Sequence, residues 1–286
     1  MPCGRLAGMG DFSAAWLRLR EPVDQRSRNG TVAAALTAAF AGVPRPIVVD
    51  LGCGSGANLR ATAPLLGQDQ DWTLLDNDAA LLGAAESGLI AWADDAVRLT
   101  DGLRLAKDGK TITVRFRLCD IAADPDLSLT AETNLVTASA FFDLASLAFI
   151  DRLVSVVARR GAALYSVLSY DGAQTWSPSS AQDARIIAAF NEHQEGDKGF
   201  GPAAGPGATA LLRDGFQAAL YRTRTGDSPW ILGRDDSDLM AQLADGIAAA
   251  VAETGRLDAS TIAAWRAVVR QDVVVGHTDI LALPTL

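Results

Sequence analysis

The chain has 286 residues and is 49% hydrophobic, enough to bury a substantial core in one large α/β domain or two small ones. Its formal charge of −9 argues against broad binding to nucleic acid or to a membrane surface, although a local basic groove is compatible with it. Three cysteines (Cys3, Cys53, Cys119) make no disulfide framework, and two histidines without Cys-x-x-Cys or His-x-x-x-His spacing argue against a zinc or di-metal enzyme.

In chain order, helical spacing of Val32, Leu36, Ala39 and Phe40 predicts helix within 11–41, with a turn at Asn29-Gly30. Trp16 to Glu21 mixes apolar and basic residues, as an amphipathic cap over a core does. A short apolar strand, 46–50, then runs into Asp50-Leu51-Gly52-Cys53-Gly54-Ser55-Gly56. Glycine takes positive φ readily and lets the backbone approach a ligand. A strand, a glycine turn and a helix (57–66) in succession are how an α/β sheet cradles a nucleotide-like molecule. The same turn also satisfies G-x-G-x-x-A, the dinucleotide pattern of nicotinamide enzymes, and lone glycine turns arise by chance.

Strand 72–76 ends in Asp76, 20 residues after Gly56, where an acid accepts hydrogen bonds from ribose hydroxyls. Asn77 follows, and Asp78 suits a helix N-cap for a helix over 78–97. Asp108-Gly109 marks a hairpin turn between a short arm at 103–105 and a strand at 111–118. Alternation of Ile112, Val114, Phe116 and Leu118 with Thr and Arg predicts an edge strand there. Cys119-Asp120-Ile121 closes it. Strand 134–138, a helix over 143–159 and strand 162–168 continue the βα rhythm. Residues 171–208 break it with one short helix near 181–191 and a glycine-rich run that reads as a mobile loop or lid. The rhythm resumes with a helix ending at Gly215, a strand over 216–222, helices around Leu239 to Ile247 and at 259–270, and a last strand at 273–283.

These stations resemble the class I S-adenosylmethionine-dependent methyltransferases. Asp50, Gly52, Gly54 and Gly56 match the family's Asp-x-Gly-x-Gly-x-Gly motif in full. The resemblance implies a Rossmann-like α/β fold: a mostly parallel seven-stranded sheet with an antiparallel last strand and helices on both faces. It implies S-adenosylmethionine as cofactor, bound by Asp50, Gly52, Gly54, Gly56, Asp76, Asn77, Asp120 and Ile121, with Thr137, Ala138 and Ser139 lining it after the fourth strand. Asp120 would receive the adenine amino group, a station with no counterpart in dehydrogenases. Arg20 or Arg26, in the N-terminal helices, would meet the cofactor's carboxylate.

The implied reaction moves a methyl group to an O or N atom of an acceptor. Such chemistry needs alignment first and a base only if the acceptor starts protonated. His193 is the candidate base, against an equal case for an exposed loop histidine. Tyr170, Trp176, Lys198 and Phe200 are placed to contact a small acidic or planar acceptor. His277 reads as structural, Asp143 as a helix cap, and Phe141 and Phe142 as core. No Asn/Asp-Pro-Pro-Tyr/Phe motif follows the fourth strand, and the one Pro-Cys pair is Pro2-Cys3, so a small-molecule acceptor is favoured over nucleic acid.

The expected organisation is one domain over 1–286: a helical cap at 1–45, a cofactor half at 46–170, an acceptor insertion at 171–208 and the rest of the sheet at 209–286. No basic-then-apolar leader and no apolar run near the ~18 residues that cross a bilayer are seen, so a cytoplasmic, non-membrane protein is expected. Two other classes fit the glycine turn. A nicotinamide oxidoreductase needs a Tyr-x-x-x-Lys pair, which is missing, and a non-catalytic cofactor-binding partner subunit needs no acceptor pocket. An aminopropyl transferase shares the fold but calls for an acidic amine-binding pattern after the fourth strand that is not evident. Oligomeric state is not legible.

Overall fold

The computed structural model describes residues 13–123, 126 and 129–285; Cys3 and the Pro2-Cys3 pair lie outside them. Two helices come first, α1 (Ala14–Ser27) and α2 (Gly30–Phe40). Ser13 accepts the Trp16 N–H, and Asn29 accepts those of Thr31 and Val32, so each helix starts on a side-chain cap. The alternating part follows as β1 (Ile47–Leu51), α3 (Ala57–Thr62), β2 (Asp69–Asp76), α4 (Ala79–Trp92), β3 (Asp95–Leu99), β4 (Gly102–Lys107), β5 (Lys110–Leu118), β6 (Leu135–Ser139), α5 (Leu147–Arg160) and β7 (Ala163–Ser177). Then come α6 (Asp183–Gln194), α7 (Ala208–Ala218), β8 (Tyr221–Asp227), β9 (Trp230–Leu232), α8 (Ser237–Thr254), α9 (Ala259–Arg266) and β10 (Asp272–Pro284).

One sheet of ten strands runs in the order β3-β4-β5-β2-β1-β6-β7-β10-β8, with β9 pairing onto β10. The pairs β5–β2, β2–β1, β1–β6 and β6–β7 are parallel, and β10 is antiparallel to both β7 and β8. The expected seven strands with an antiparallel last one are therefore present, and the hairpin strands β3 and β4 and the short β9 raise the count to ten. Successive side chains alternate across the sheet, so Val48 packs with Leu36, Leu59 and Leu89 on one face, while Val49 packs with Phe149, Leu153 and Leu212 on the other. Helices cover both faces, as a parallel sheet buried on both sides requires.

Four expectations are corrected. β5 is internal, not an edge, because β4 pairs along its outer side. The helix expected to reach residue 97 ends at Trp92, and Asp95–Leu99 becomes the outermost strand. Phe216 lies inside α7 and is buried; Gly215 reads as a helix end, yet a Cβ there would stand 3.3 Å from Val154, so the glycine serves close packing of α7 on α5. Finally, 171–177 continue β7 instead of opening a loop, since β10 pairs with β7 out to Ser177. The glycine-rich remainder is pinned: Asp197 accepts the N–H groups of Gly199 (2.7 Å) and Gly201 (3.0 Å), and Ala204 N–H donates to Ala145 O (2.7 Å).

Candidate functional site

The chain turns back on itself in sheet order after β1, β2 and β5, and then resumes on the other side with β6. Open α/β sheets bind ligands at such a switch, beyond the carboxyl ends of the strands. Gly52, Gly54 and Gly56 all adopt positive φ (60°, 51° and 77°). A Cβ at Gly52 would sit 2.7 Å from the Phe141 ring, and one at Gly54 would sit 2.9 Å from Leu17. The turn is thus closed to side chains on its inner surface. Cys53 N–H donates to Leu75 O, which ties the turn to β2.

Asp76 fixes the turn as well. Its carboxylate accepts the N–H groups of Gly54 (2.8 Å) and Asp78 (3.0 Å). Burial raises its pKa while these N–H groups lower it. Asp120 accepts the Ala122 N–H (3.0 Å), shaping the turn after β5. A cavity of about 320 Å³ lies above these turns. Of the residues expected to bind a cofactor, Gly52, Gly54, Asp76, Asn77, Asp120, Ile121 and Ser139 line it. Its charged lining is Asp24, Asp76, Asp78 and Asp120 against Arg20 and Lys198. Ser55 Oγ, buried and without a partner, is on the same wall.

Asp50, Gly56, Thr137 and Ala138 are not on that wall. Asp50 is fully buried behind it, where Asn58 donates to one carboxylate oxygen at 2.6 Å and the other oxygen has no partner. Burial pushes its pKa up to about 7. Asn58 also donates to Thr137 Oγ (3.1 Å) and accepts from Arg28 (2.9 Å), so Asp50 and Thr137 belong to a polar network under the turn. Ala138 is core.

A second cavity, of about 700 Å³, adjoins the first. Arg20, Ala140, Leu144 and Lys198 line both. Ala140 (φ 49°) and Leu168 (φ 57°), both on the larger cavity's wall, are non-glycine residues in the left-handed region, which costs about 1–2 kcal/mol each. Asp279 holds the second of them: its buried carboxylate accepts the Leu168 N–H (2.8 Å) and the Asn29 N–H (2.8 Å). A register shift between Val275 and His277 places Val275 opposite Gln174 and His277 opposite Tyr170, and all four residues line the larger cavity. Bulges re-aim side chains in this way.

The expected acceptor contacts divide. Tyr170 and Lys198 line the larger cavity. The Tyr170 hydroxyl donates to Asn191 Oδ1 and accepts from Gln174, and burial raises its pKa to about 12. Trp176 lines neither cavity; it is buried against Trp265 and donates to Gln174. Phe200 lines the smaller cavity and packs edge-on against Phe141 and Phe149. His193 also lines neither: its Nδ1 contacts Lys198 Nζ (3.1 Å) and its Nε2 contacts Glu253 (3.2 Å). Arg20 is buried in a two-bond pair with Asp24 and stacks on Trp230, whereas Arg26 pairs with Asp236.

Sequence reasoning missed Trp16, Phe190, Trp230 and Gln174 on the larger wall, and took Asp143 and His277 as a cap and a structural residue. The cap of α5 is Ser146, which frees Asp143 to face the cavity. Burial lifts Asp143 to a pKa of about 6 and depresses His277 to about 3. Nothing in their local patterns marks these residues.

Among the described residues, no group of three or more His, Cys, Asp or Glu could hold a metal ion, and no helix is long and apolar enough to cross a membrane. No family model matches the chain, and no curated protein matches it. Solved structures do. A cyclopropane-fatty-acyl-phospholipid synthase-like protein from Lactobacillus casei ATCC 334 superposes with a TM-score of 0.50 at 14% identity, covering 92% of this chain and 99% of that one. The cyclopropane synthase MmaA2 from Mycobacterium tuberculosis does so with a TM-score of 0.50 at 12% identity, covering 95% of each chain. With β10 antiparallel beside five parallel strands, and the glycine turn at the switch point, this chain has the Rossmann-like fold of the class I methyltransferases.

Proposed function

We propose that the chain is a class I S-adenosylmethionine-dependent methyltransferase acting on a small molecule, folded as one domain over 1–286. The observation that carries this reading is the pair of adjoining cavities at the switch point, one walled by backbone turns and carboxylates, the other by side chains. When bound, S-adenosylmethionine supplies a methyl group activated on a positively charged sulfur. The smaller cavity suits it. Asp76 and Asp120 would take ribose hydroxyls and an adenine amine, and Ser55 Oγ has no partner within the protein. Four carboxylates against two cations favour a cationic donor over a pyrophosphate-bearing dinucleotide.

Lys198 and Arg20 lie on both walls and are the cations available to the cofactor's carboxylate. His193 then serves by positioning Lys198. Ala140 and Leu144 form the boundary across which donor and acceptor face each other, and α1 closes over both, excluding water from the reacting atoms. The larger cavity falls in the size range of small-molecule sites. Calorimetry with S-adenosylmethionine and NADH tests the reading. Micromolar binding of the first and none of the second is expected. Binding of NADH alone, or of neither, would refute it.

A further inference from the structure

The larger cavity holds six titratable side chains: Arg20, Asp143, Tyr170, Lys198, Glu253 and His277. Four have partners. Arg20 is matched by Asp24, the Tyr170 hydroxyl lies between Asn191 and Gln174, and Lys198 and Glu253 both bond His193. The other two each leave a buried atom without a partner, Asp143 Oδ1 and His277 Nδ1. Both residues are only 7% exposed. A buried polar atom left unpaired costs about 1–3 kcal/mol, so two on one wall of a cavity point to a ligand that satisfies them.

The chemistry of the missing partner follows. Burial keeps the His277 ring neutral, so its unpartnered Nδ1 is either the ring's one donor or its one acceptor. Asp143 Oδ1 can only accept while its carboxyl is ionised, so the ligand must bring a hydrogen-bond donor, and an amine nitrogen also carries the lone pair that a donating Nδ1 would meet. Around them stand Trp16, Tyr170, Phe190 and Trp230, which give flat apolar contact. Asp143 lies three residues from Ala140 and next to Leu144, where the two cavities meet.

We infer that the larger cavity takes a small molecule with a planar apolar body and a primary or secondary amine, and that Asp143 is the base that frees this nitrogen for methylation. The inference rests on the methyltransferase reading for its chemical step, but its binding part stands by itself. An ammonium gives one proton to the Asp143 carboxylate. The freed nitrogen lone pair forms the new N–C bond, the methyl–sulfur bond breaks, and sulfur keeps its electron pair as a neutral thioether. The product amine leaves protonated. Burial helps here, because it makes the Asp143 carboxylate a stronger base than an exposed one.

The test uses phenethylamine, 2-phenylethanol and phenylacetate as matched probes. Their binding to the full chain would be measured by ligand-observed NMR with S-adenosylhomocysteine present, and S-adenosylhomocysteine binding would be titrated separately. The amine should bind roughly ten-fold or more tighter than the alcohol or the acid. Asp143→Asn should erase that preference and, in the unliganded protein, raise the melting temperature by about 2 °C, because a buried unpaired charge is gone. His277→Phe, which keeps a ring, should reduce the preference in part. Equal or tighter binding of the alcohol or acid, no binding of the amine, or a preference that survives both substitutions would overturn the inference. Loss of S-adenosylhomocysteine binding alone would instead count against the methyltransferase reading and leave the amine preference standing.

Discussion

The smaller cavity is shaped by backbone turns after β1, β2, β5 and β6, whereas the larger one is shaped by side chains from α1, α6, α8, β9 and β10. In the first, the atoms that matter are N–H groups and positive-φ glycines held by nearby carboxylates. Local sequence dictates such atoms. In the second, one aspartate and one histidine meet four aromatic rings that are far apart in the chain. A fold can therefore keep its donor-side turns while the acceptor wall changes, which is how one architecture supports many substrates.

Substitutions in each region sharpen the contrast. Gly52→Val has the largest expected effect. It places a branched side chain at φ 60° against Phe141, so S-adenosylmethionine affinity should fall at least 100-fold by calorimetry while the probe amine still binds. Retained donor affinity would show that the turn is not the donor site. Arg20→Ala comes next. It removes a buried partner from Asp24 and a wall from both cavities, and should cost about 3 kcal/mol in denaturant unfolding and weaken both ligands. A loss confined to one ligand would separate the cavities that the structure joins.

A smaller effect is expected from Asp143→Asn as a function of pH. The folded pKa of about 6 stands above the ordinary carboxylate value of 3.8, so the folded protein binds the extra proton. Its stabilising contribution is full below about pH 4 and is lost as pH rises through 6. The variant's gain in melting temperature should therefore be larger at pH 7.5 than at pH 4.5. A gain independent of pH would mean that the carboxylate is not buried as charge. Arg26→Ala should do least. Its pair with Asp236 is half-exposed on the arginine side, so stability should change by less than about 0.5 kcal/mol and donor affinity not at all.

The same division separates what was legible early. The succession of strands and helices along the chain could be anticipated because each βα unit carries its own signature: an apolar strand, a turn residue, an amphipathic helix. The hairpin over Asp108-Gly109 was readable for the same reason. The pattern of β5 was misread as an edge because alternation reports one solvated face, not which neighbour pairs beside it. Trp176 and Phe200 were aromatic residues in the right segment, but only packing decides whether a ring faces a cavity or the core.

By itself the sequence determined the succession of strands and helices and the turns at Gly52–Gly56, Asp76 and Asp120, because these depend on residues close in the chain, while the parallel sheet with its antiparallel last strand was implied by the family resemblance and is made by pairings between distant segments. Tertiary structure alone decided that Arg20 is buried and Arg26 is not, that His193 stands behind Lys198, and that Asp143 and His277 share a cavity. Residues 143 and 277 meet only because β10 returns beside β7 and a register shift brings His277 opposite Tyr170. Burial then sets their charge, and burial is a property of everything packed around a residue, which no short window of sequence contains.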